Sequence, residues 1–276
     1  MTTVQASEHS YALILGVSSG FGSAVARALA REGYHIIGLH LDRAAGMKTV
    51  EELKAAIEAH GVRTLFFNVN AADPDRRKEV ISAVQQEFAE REGASVKVLL
   101  HSLAFGSLKP FIADNPADAL TQRQMEMTLD VMANSLIYWT QDLVFSKLFG
   151  RNGRVFAMTS AGSRRILPMY GAVSAAKAAL ESYIRQLALE LAPYGITANS
   201  IRAGVTDTPA LRKIPGSDII INNALMRNPY HHLTTTEEVA EVIALLSRPE
   251  SAWINGTIIG ADGGEDSVDL TWWKPE

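Results

Sequence analysis

The 276-residue chain contains no cysteine. Disulfide scaffolds, thiol nucleophiles, cysteine-ligated zinc and iron–sulfur clusters are therefore excluded. No apolar run approaches the ~18 residues of a membrane span. An excess of basic charge is missing too. Lys and Arg number 26 against 30 Asp and Glu, a net charge of −4, so no general nucleic-acid-binding stripe is expected. The opening MTTVQASEHS has neither the basic nor the apolar region of a secretion signal, and a cytoplasmic protein is expected. Charged residues, at 20%, fall a little below the usual ~25%, while the hydrophobic share of 47% is ordinary. Length alone allows one domain or two. Without a proline-rich linker, a charge run or an internal repeat, residues 1–276 are read as one domain.

What is present is an alternation of short apolar runs with amphipathic stretches. Strands are predicted at Tyr11–Gly16, His35–Leu41, Val62–Val69, Val96–His101, Gly153–Thr159, Ile196–Ile201 and Gly256–Gly260. Helices are predicted over 20–32, Lys48–His60, from Asp73-Pro74 to about Arg91, from about Asp118 to Phe149, and over Met169–Leu191 and Thr236–Leu246. Strand and helix in turn imply an α/β fold, a Rossmann-type doubly wound parallel sheet of seven strands with helices on both faces. Residues 203–233 read as an insertion over the carboxyl edge of that sheet, where ligands of open α/β sheets bind.

The segment LGVSSGFGSAVARAL directly follows the first strand and opens the first helix. Glycines at 16, 20 and 22 permit a tight turn and a close backbone approach to a pyrophosphate, for which the helix N-terminus supplies N–H groups. The spacing is G-x-x-x-G-x-G, and a ligand-free strand–helix turn is the plainer alternative. The second strand ends in HLDR, with His40, Asp42 and Arg43. Asp42 facing inward suits the 2′-hydroxyl of NADH, Arg43 suits the 2′-phosphate of NADPH, and either could be a solvated surface charge. The cofactor choice stays open.

Tyr170 and Lys177 lie seven apart, close to two helical turns, behind Pro168 and Ser160. A lysine beside a nucleotide binds ribose hydroxyls and eases proton release from a nearby hydroxyl, and a tyrosine in such a field donates to a substrate oxygen. For an isolated pair, a core tyrosine and a snorkelling lysine would be the simpler account. His101, at a strand end, is read as structural. The adjacent His231 and His232 lack a third ligand at metal spacing, so no metal is expected.

These motifs occur together and in order: GVSSGFG, HSLAFG after the fourth strand, Ser160 ahead of the Tyr–Lys helix, AGVTDT after the sixth strand, and ADGG at Ala261–Gly264. On them the chain resembles the short-chain dehydrogenase/reductase family over about residues 10–264. That family usually places tyrosine four residues before lysine. Here that position is Val173, which cannot donate a proton, and the tyrosine stands three residues earlier. With HSLAFG in place of Asn-Asn-Ala-Gly, this Tyr-x6-Lys pattern is similar to the enoyl-acyl-carrier-protein reductase branch. Ser160 stands where many enoyl reductases carry a second tyrosine, and Met132 where many family members carry a helix asparagine; both are departures.

The resemblance implies NADH or NADPH as cofactor and Tyr170, Lys177 and Ser160 as catalytic residues. Gly16, Ser18, Ser19, Gly20, Phe21 and Gly22 would hold its phosphates. His40, Asp42, Arg43, Asn68 and Val69 would surround the adenosine, and Ser102, Leu103 and Lys177 the nicotinamide ribose. Gly204, Val205 and Thr208 would hold the carboxamide, Val205 through its backbone. It further implies reduction of an enoyl thioester carried on acyl-carrier protein or coenzyme A, in a homotetramer or homodimer. Hydride then arrives at the β-carbon while charge develops on an oxygen two carbons further away, and a tyrosine displaced by about 4.5 Å along the helix suits that oxygen. Phe105, Met169, Tyr170, Leu211 and Ile214 are the candidate acyl-pocket residues, with Phe111 beside them, and residues 203–233 form both a packed cover and a mobile lid. Trp272 and Trp273 are candidates for a subunit contact. Two alternatives remain: reduction of a 3-oxoacyl or natural-product ketone, and a dinucleotide-binding sensor with little catalysis.

Overall fold

A computed structural model describes residues 9–268; Trp272 and Trp273 lie outside them. In chain order the elements are β1 (Ser10–Leu15), α1 (Gly20–Arg31), β2 (His35–His40), α2 (Met47–Glu58), β3 (Thr64–Asn68), α3 (Pro74–Ala89), β4 (Ser95–His101), α4 (Gln122–Leu129), α5 (Ser135–Phe145), β5 (Phe149–Ser160), α6 (Gly171–Glu190), β6 (Thr197–Ala203), α7 (Ser217–Arg227), α8 (Thr236–Leu246) and β7 (Ile258–Ala261). The seven strands form one parallel sheet in the order β3-β2-β1-β4-β5-β6-β7. Its winding direction reverses between β1 and β4, which opens a crevice at their carboxyl ends.

Both faces of the sheet are covered, so the central strands read as continuous apolar runs. Leu13, Leu15, Leu99 and Val155 pack with Val80 of α3, Trp139 of α5 and Leu180 of α6. Ile14, Val98, Leu100 and Phe156 pack on the other face with α1, α2 and α8 through Val25, Leu53 and Ile243. The buried Trp139 indole donates to the Ala71 carbonyl at 2.8 Å, which anchors α5 over the sheet. Helix starts follow their caps: the Asp73 carboxylate accepts from the N–H groups of Asp75 and Arg76, ahead of Pro74 at the first helical position. Thr235 and Glu238 form a capping box at α8, so the cap is one residue ahead of the Thr236 start expected from sequence.

The stretch predicted as one helix from Asp118 to Phe149 is divided. Thr121 and Gln124 form a capping box that starts α4 at Gln122, a π-turn at Asp130–Asn134 separates α4 from α5, and Lys147 in left-handed conformation ends the run. Phe149 already pairs with Val96 as the first residue of β5. The helix predicted from Met169 begins at Gly171, because Met169 adopts φ 60°. Segment 204–233 holds a short 3₁₀ turn at Leu211–Lys213 and the 11-residue α7. Among the described residues, no helix is long and apolar enough to cross a membrane.

Candidate active site

The crevice is walled by the turn after β1. Gly16 and Val17 both direct their N–H groups at the Leu39 carbonyl (2.9 Å each), and Gly16 takes φ 90°. A Cβ on Gly16 would lie 2.6 Å from the Ser102 carbonyl, so the β1 and β4 loops touch across the switch point. A Cβ on Gly22 would lie 1.9 Å from the Gly16 carbonyl, which brings the first turn of α1 hard against the loop. Ser19, the residue before α1, is extended and makes no side-chain cap, and no acidic residue stands in the first turn. The N–H groups of that turn are thus left for an anion. Ser18 and Phe21 share this turn, and Thr208, from the loop after β6, leans to 3.7 Å from where a Gly20 Cβ would be.

At the far side of β1, the ends of β2 and β3 are tied together. Asn68 accepts from the Asp42 N–H at 3.0 Å and donates to the Asp42 carbonyl at 2.9 Å, and Val69 N–H bonds the His40 carbonyl at 2.8 Å. The Asp42 carboxylate pairs with His40 Nδ1 at 2.9 Å. Asp42 is therefore fixed in place, whereas Arg43 is exposed. Four of the five residues proposed from sequence around the adenosine (His40, Asp42, Asn68 and Val69) form one hydrogen-bonded corner, and Arg43 stands outside it.

Lys177 is buried, and its Nζ donates to the Met158 carbonyl at 2.7 Å. Burial lowers its pKa to about 8, opposed by the Glu181 carboxylate one turn further along α6. Glu181 in turn accepts from Thr159 Oγ1 at 2.7 Å. Tyr170 immediately precedes α6, and its carbonyl accepts the first helical bond from Ser174 at 2.8 Å. Its ring lies on Gly162, where a Cβ would come within 2.6 Å of Cε1, and within 3.2 Å of Ser160 Oγ. Burial raises the Tyr170 pKa, and the neighbouring Ser160 hydroxyl offsets part of the rise. Ser160 Oγ is buried and completes no hydrogen bond of regular geometry. β5 and α6 thus bring all three residues to one place. Val173, at the usual tyrosine position, is instead part of the core.

Other candidates divide. Phe111 packs its ring on Gly171 at the start of α6, while Phe105 is largely exposed and Met169 borders on exposed. Leu211 and Ile214 are half-buried around the 3₁₀ turn. His101 is fully buried, its Nε2 2.9 Å from Ser135 Oγ, which itself donates to the Val131 carbonyl; burial and the Lys177 charge push its pKa down to about 3. His232 pairs with Glu238 at 3.0 Å, and no cluster of three metal-binding side chains occurs among the described residues.

Sequence reasoning missed the residues just after β7. Glu265 is buried and accepts from the Val205 N–H at 2.9 Å, so part of the backbone assigned to the carboxamide is already engaged. Asp266 holds Arg165 at 2.7 Å, Arg202 at 3.2 Å and also Arg164, which ties the 161–169 loop to the same segment. The signal was an acidic pair following ADGG, in a stretch that otherwise reads as a turn.

Residues 16–265 match the family model described as enoyl-(acyl carrier protein) reductase. The chain is 31% identical to a 1-cyclohexenylcarbonyl-CoA reductase of Streptomyces collinus, covering 91% of this chain and 85% of that one. It is 30% identical to a 3-oxoacyl-[acyl-carrier-protein] reductase of Thermotoga maritima, covering 91% and 96%. The fold superposes on the crystal structure of an NADH-type enoyl-[acyl-carrier-protein] reductase from Aquifex aeolicus with TM-score 0.81 at 23% identity, covering 96% of this chain and 98% of that one.

Proposed function

The chain belongs to the short-chain dehydrogenase/reductase family, as an NAD(P)-dependent oxidoreductase, and from that premise we propose that it reduces the 2,3-double bond of an enoyl thioester. The observation that carries the proposal is Tyr170 seven residues before Lys177, with the buried Val173 in the usual tyrosine position.

The residues present fit a nicotinamide dinucleotide. The Gly16–Gly22 contact leaves room for backbone alone, the N-terminus of α1 is uncapped, and the buried Ser160 hydroxyl beside Tyr170 completes no hydrogen bond of regular geometry. When bound, the cofactor supplies the hydride. The turn at 16–22 would hold its phosphates, and the Asp42–Asn68 corner its adenosine ribose. Lys177 would hold the nicotinamide ribose through the protons its Met158 bond leaves over. Tyr170 would donate to the thioester oxygen, where negative charge develops, which is the usual role of an oxyanion donor. Its raised pKa keeps the phenol protonated for that task. Ser160 would orient the phenol and the substrate oxygen together.

Exposed apolar side chains occur on three segments that adjoin the site residues in the chain: Phe105 and Ile112 after β4, Ile166 before α6, and Ile219 and Met226 of α7. They suit an acyl chain carried on acyl-carrier protein or coenzyme A, with 203–233 as the lid that excludes water. Phe145 and Leu189, exposed at the ends of α5 and α6, suit the subunit contacts of a homotetramer or homodimer.

Following NADH and NADPH oxidation with crotonyl and 2-octenoyl thioesters, beside a 3-oxoacyl thioester, tests the reading. Turnover of the enoyl substrates is expected. Turnover of the 3-oxo substrate alone would replace it with ketone reduction, the reaction named for the Thermotoga relative.

A further inference from the structure

The carboxylate of Glu265 joins three segments that the proposed reaction needs to move or to place. One oxygen accepts the Val205 N–H at 2.9 Å, in the loop after β6. The other accepts from Arg227 at 3.1 Å, the last residue of α7. Glu265 itself follows β7 and is 4% exposed, so its carboxylate is buried while the Arg227 side chain that pairs with it is partly exposed. The fit around it is close: a Cβ on Gly204 would stand 2.2 Å from Thr234 Oγ1 and 3.0 Å from the Glu265 oxygen. Arg227 Nε is buried with no partner, so the guanidinium depends on Glu265 for its charge pairing at this place.

A single N–H cannot serve two acceptors at full strength. Resting on the reading that Val205 meets the carboxamide of the nicotinamide, we propose that Glu265 is a positioning residue: it competes with the cofactor for the Val205 N–H and passes the outcome to the lid through Arg227. With the carboxylate on Val205, the end of α7 is tied to the 204–208 loop. Once a carboxamide oxygen takes that N–H, Glu265 keeps only Arg227, and α7 is tied to the β7 end alone. Arrival of the nicotinamide and the position of the lid are thereby coupled without any residue of the lid touching the cofactor.

The test compares affinities for NADH and for ADP-ribose, which lacks the nicotinamide, or for their 2′-phosphorylated counterparts if those bind more tightly. Glu265→Ala removes the competitor, so NADH should bind about two- to tenfold more tightly while ADP-ribose is unchanged, the range of one hydrogen bond. Glu265→Gln retains an acceptor for Val205 and should stay near the parent ratio. Arg227→Met, which leaves Glu265 to Val205 alone, should shift the ratio the other way. Should Glu265→Ala not fold, weaker NADH binding in Arg227→Met beside an unchanged ratio in Glu265→Gln decides. Equal shifts for both ligands, or none, would reduce Glu265 to a structural role and overturn the proposal. A weaker NADH complex in Glu265→Ala would overturn it as well, by making the carboxylate a direct ligand of the carboxamide. None of these readouts needs turnover, so failure of the enoyl substrates would count against the proposed reaction and leave this measurement standing.

Discussion

Lys177 Nζ donates to the Met158 carbonyl at 2.7 Å, which binds the ammonium of α6 to the backbone of β5 two residues before Ser160. Burial lowers its pKa to about 8, with Glu181 opposing. In the free protein Lys177 is therefore charged below that pH and neutral above it. If the charged form is the one that holds the nicotinamide ribose, cofactor affinity falls as pH rises through about 8. A loss of up to about tenfold between pH 7 and pH 9 is expected for NADH titrated by fluorescence. Lys177→Met should bind weakly and without this limb. Glu181→Gln, which removes the opposing charge, should move the limb to lower pH. A flat profile in the parent protein would detach Lys177 from cofactor binding.

Tyr170→Phe keeps the ring on Gly162 and removes the donor. The expected result is a kcat about 10²–10³-fold lower with the cofactor dissociation constant unchanged, the size seen when one oxyanion donor is lost. Single-turnover kinetics on the enoyl thioester separate the two quantities. An unchanged chemical step would take Tyr170 out of the mechanism.

The glycine contact allows a sharper test of the phosphate site. In Gly22→Ala the new methyl meets the Gly16 carbonyl at 1.9 Å, a backbone atom that cannot swing aside. The loop must open, so NADH and ADP-ribose should both lose more than about tenfold in affinity, and the melting temperature should fall. Retained binding of both would show that the turn does not carry the phosphates.

What could be read from residues alone follows from how each feature is encoded. The seven parallel strands and the glycine turn were legible, because a buried parallel strand is a continuous apolar run and a close backbone approach demands glycine. Tyr170, Lys177 and Ser160 were legible as a site only through the family resemblance that their spacing helps to carry, and β5 with α6 brings them together. The break between α4 and α5 was not. Asp130–Asn134 contains no proline or glycine, so nothing in its composition marks the π-turn. Glu265 escaped for another reason: its meaning lies in partners 60 and 38 residues away, Val205 and Arg227, which no local pattern reports.

Asp42 is held by its hydrogen bonds to His40 and Asn68, whereas Arg43 is exposed. A fixed carboxylate accepts from a 2′-hydroxyl and repels a 2′-phosphate. Asp42→Ala should therefore lower the ratio of kcat/KM with NADH to that with NADPH, by about tenfold. Arg43→Ala should change it less. Steady-state rates with both cofactors give the comparison, and an unaltered ratio in Asp42→Ala would place the carboxylate away from the ribose.

His101 is fully buried, and its pKa is pushed down to about 3 by desolvation and by the charge on Lys177. In the unfolded chain the same imidazole titrates near its ordinary value of about 6.5. Between those values the unfolded state binds a proton that the folded state refuses, so folding stability falls as pH drops from about 6.5 towards 3. One such proton corresponds to about 1.4 kcal/mol per pH unit. His101→Asn should show a shallower acid-side loss in urea midpoints measured at pH 7, 5.5 and 4.5. Lys177→Met should also shorten the window, because removing that charge lets the folded imidazole take its proton earlier. If the parent and His101→Asn lose stability in parallel, the imidazole is not the neutral wedge that its burial against Ser135 implies.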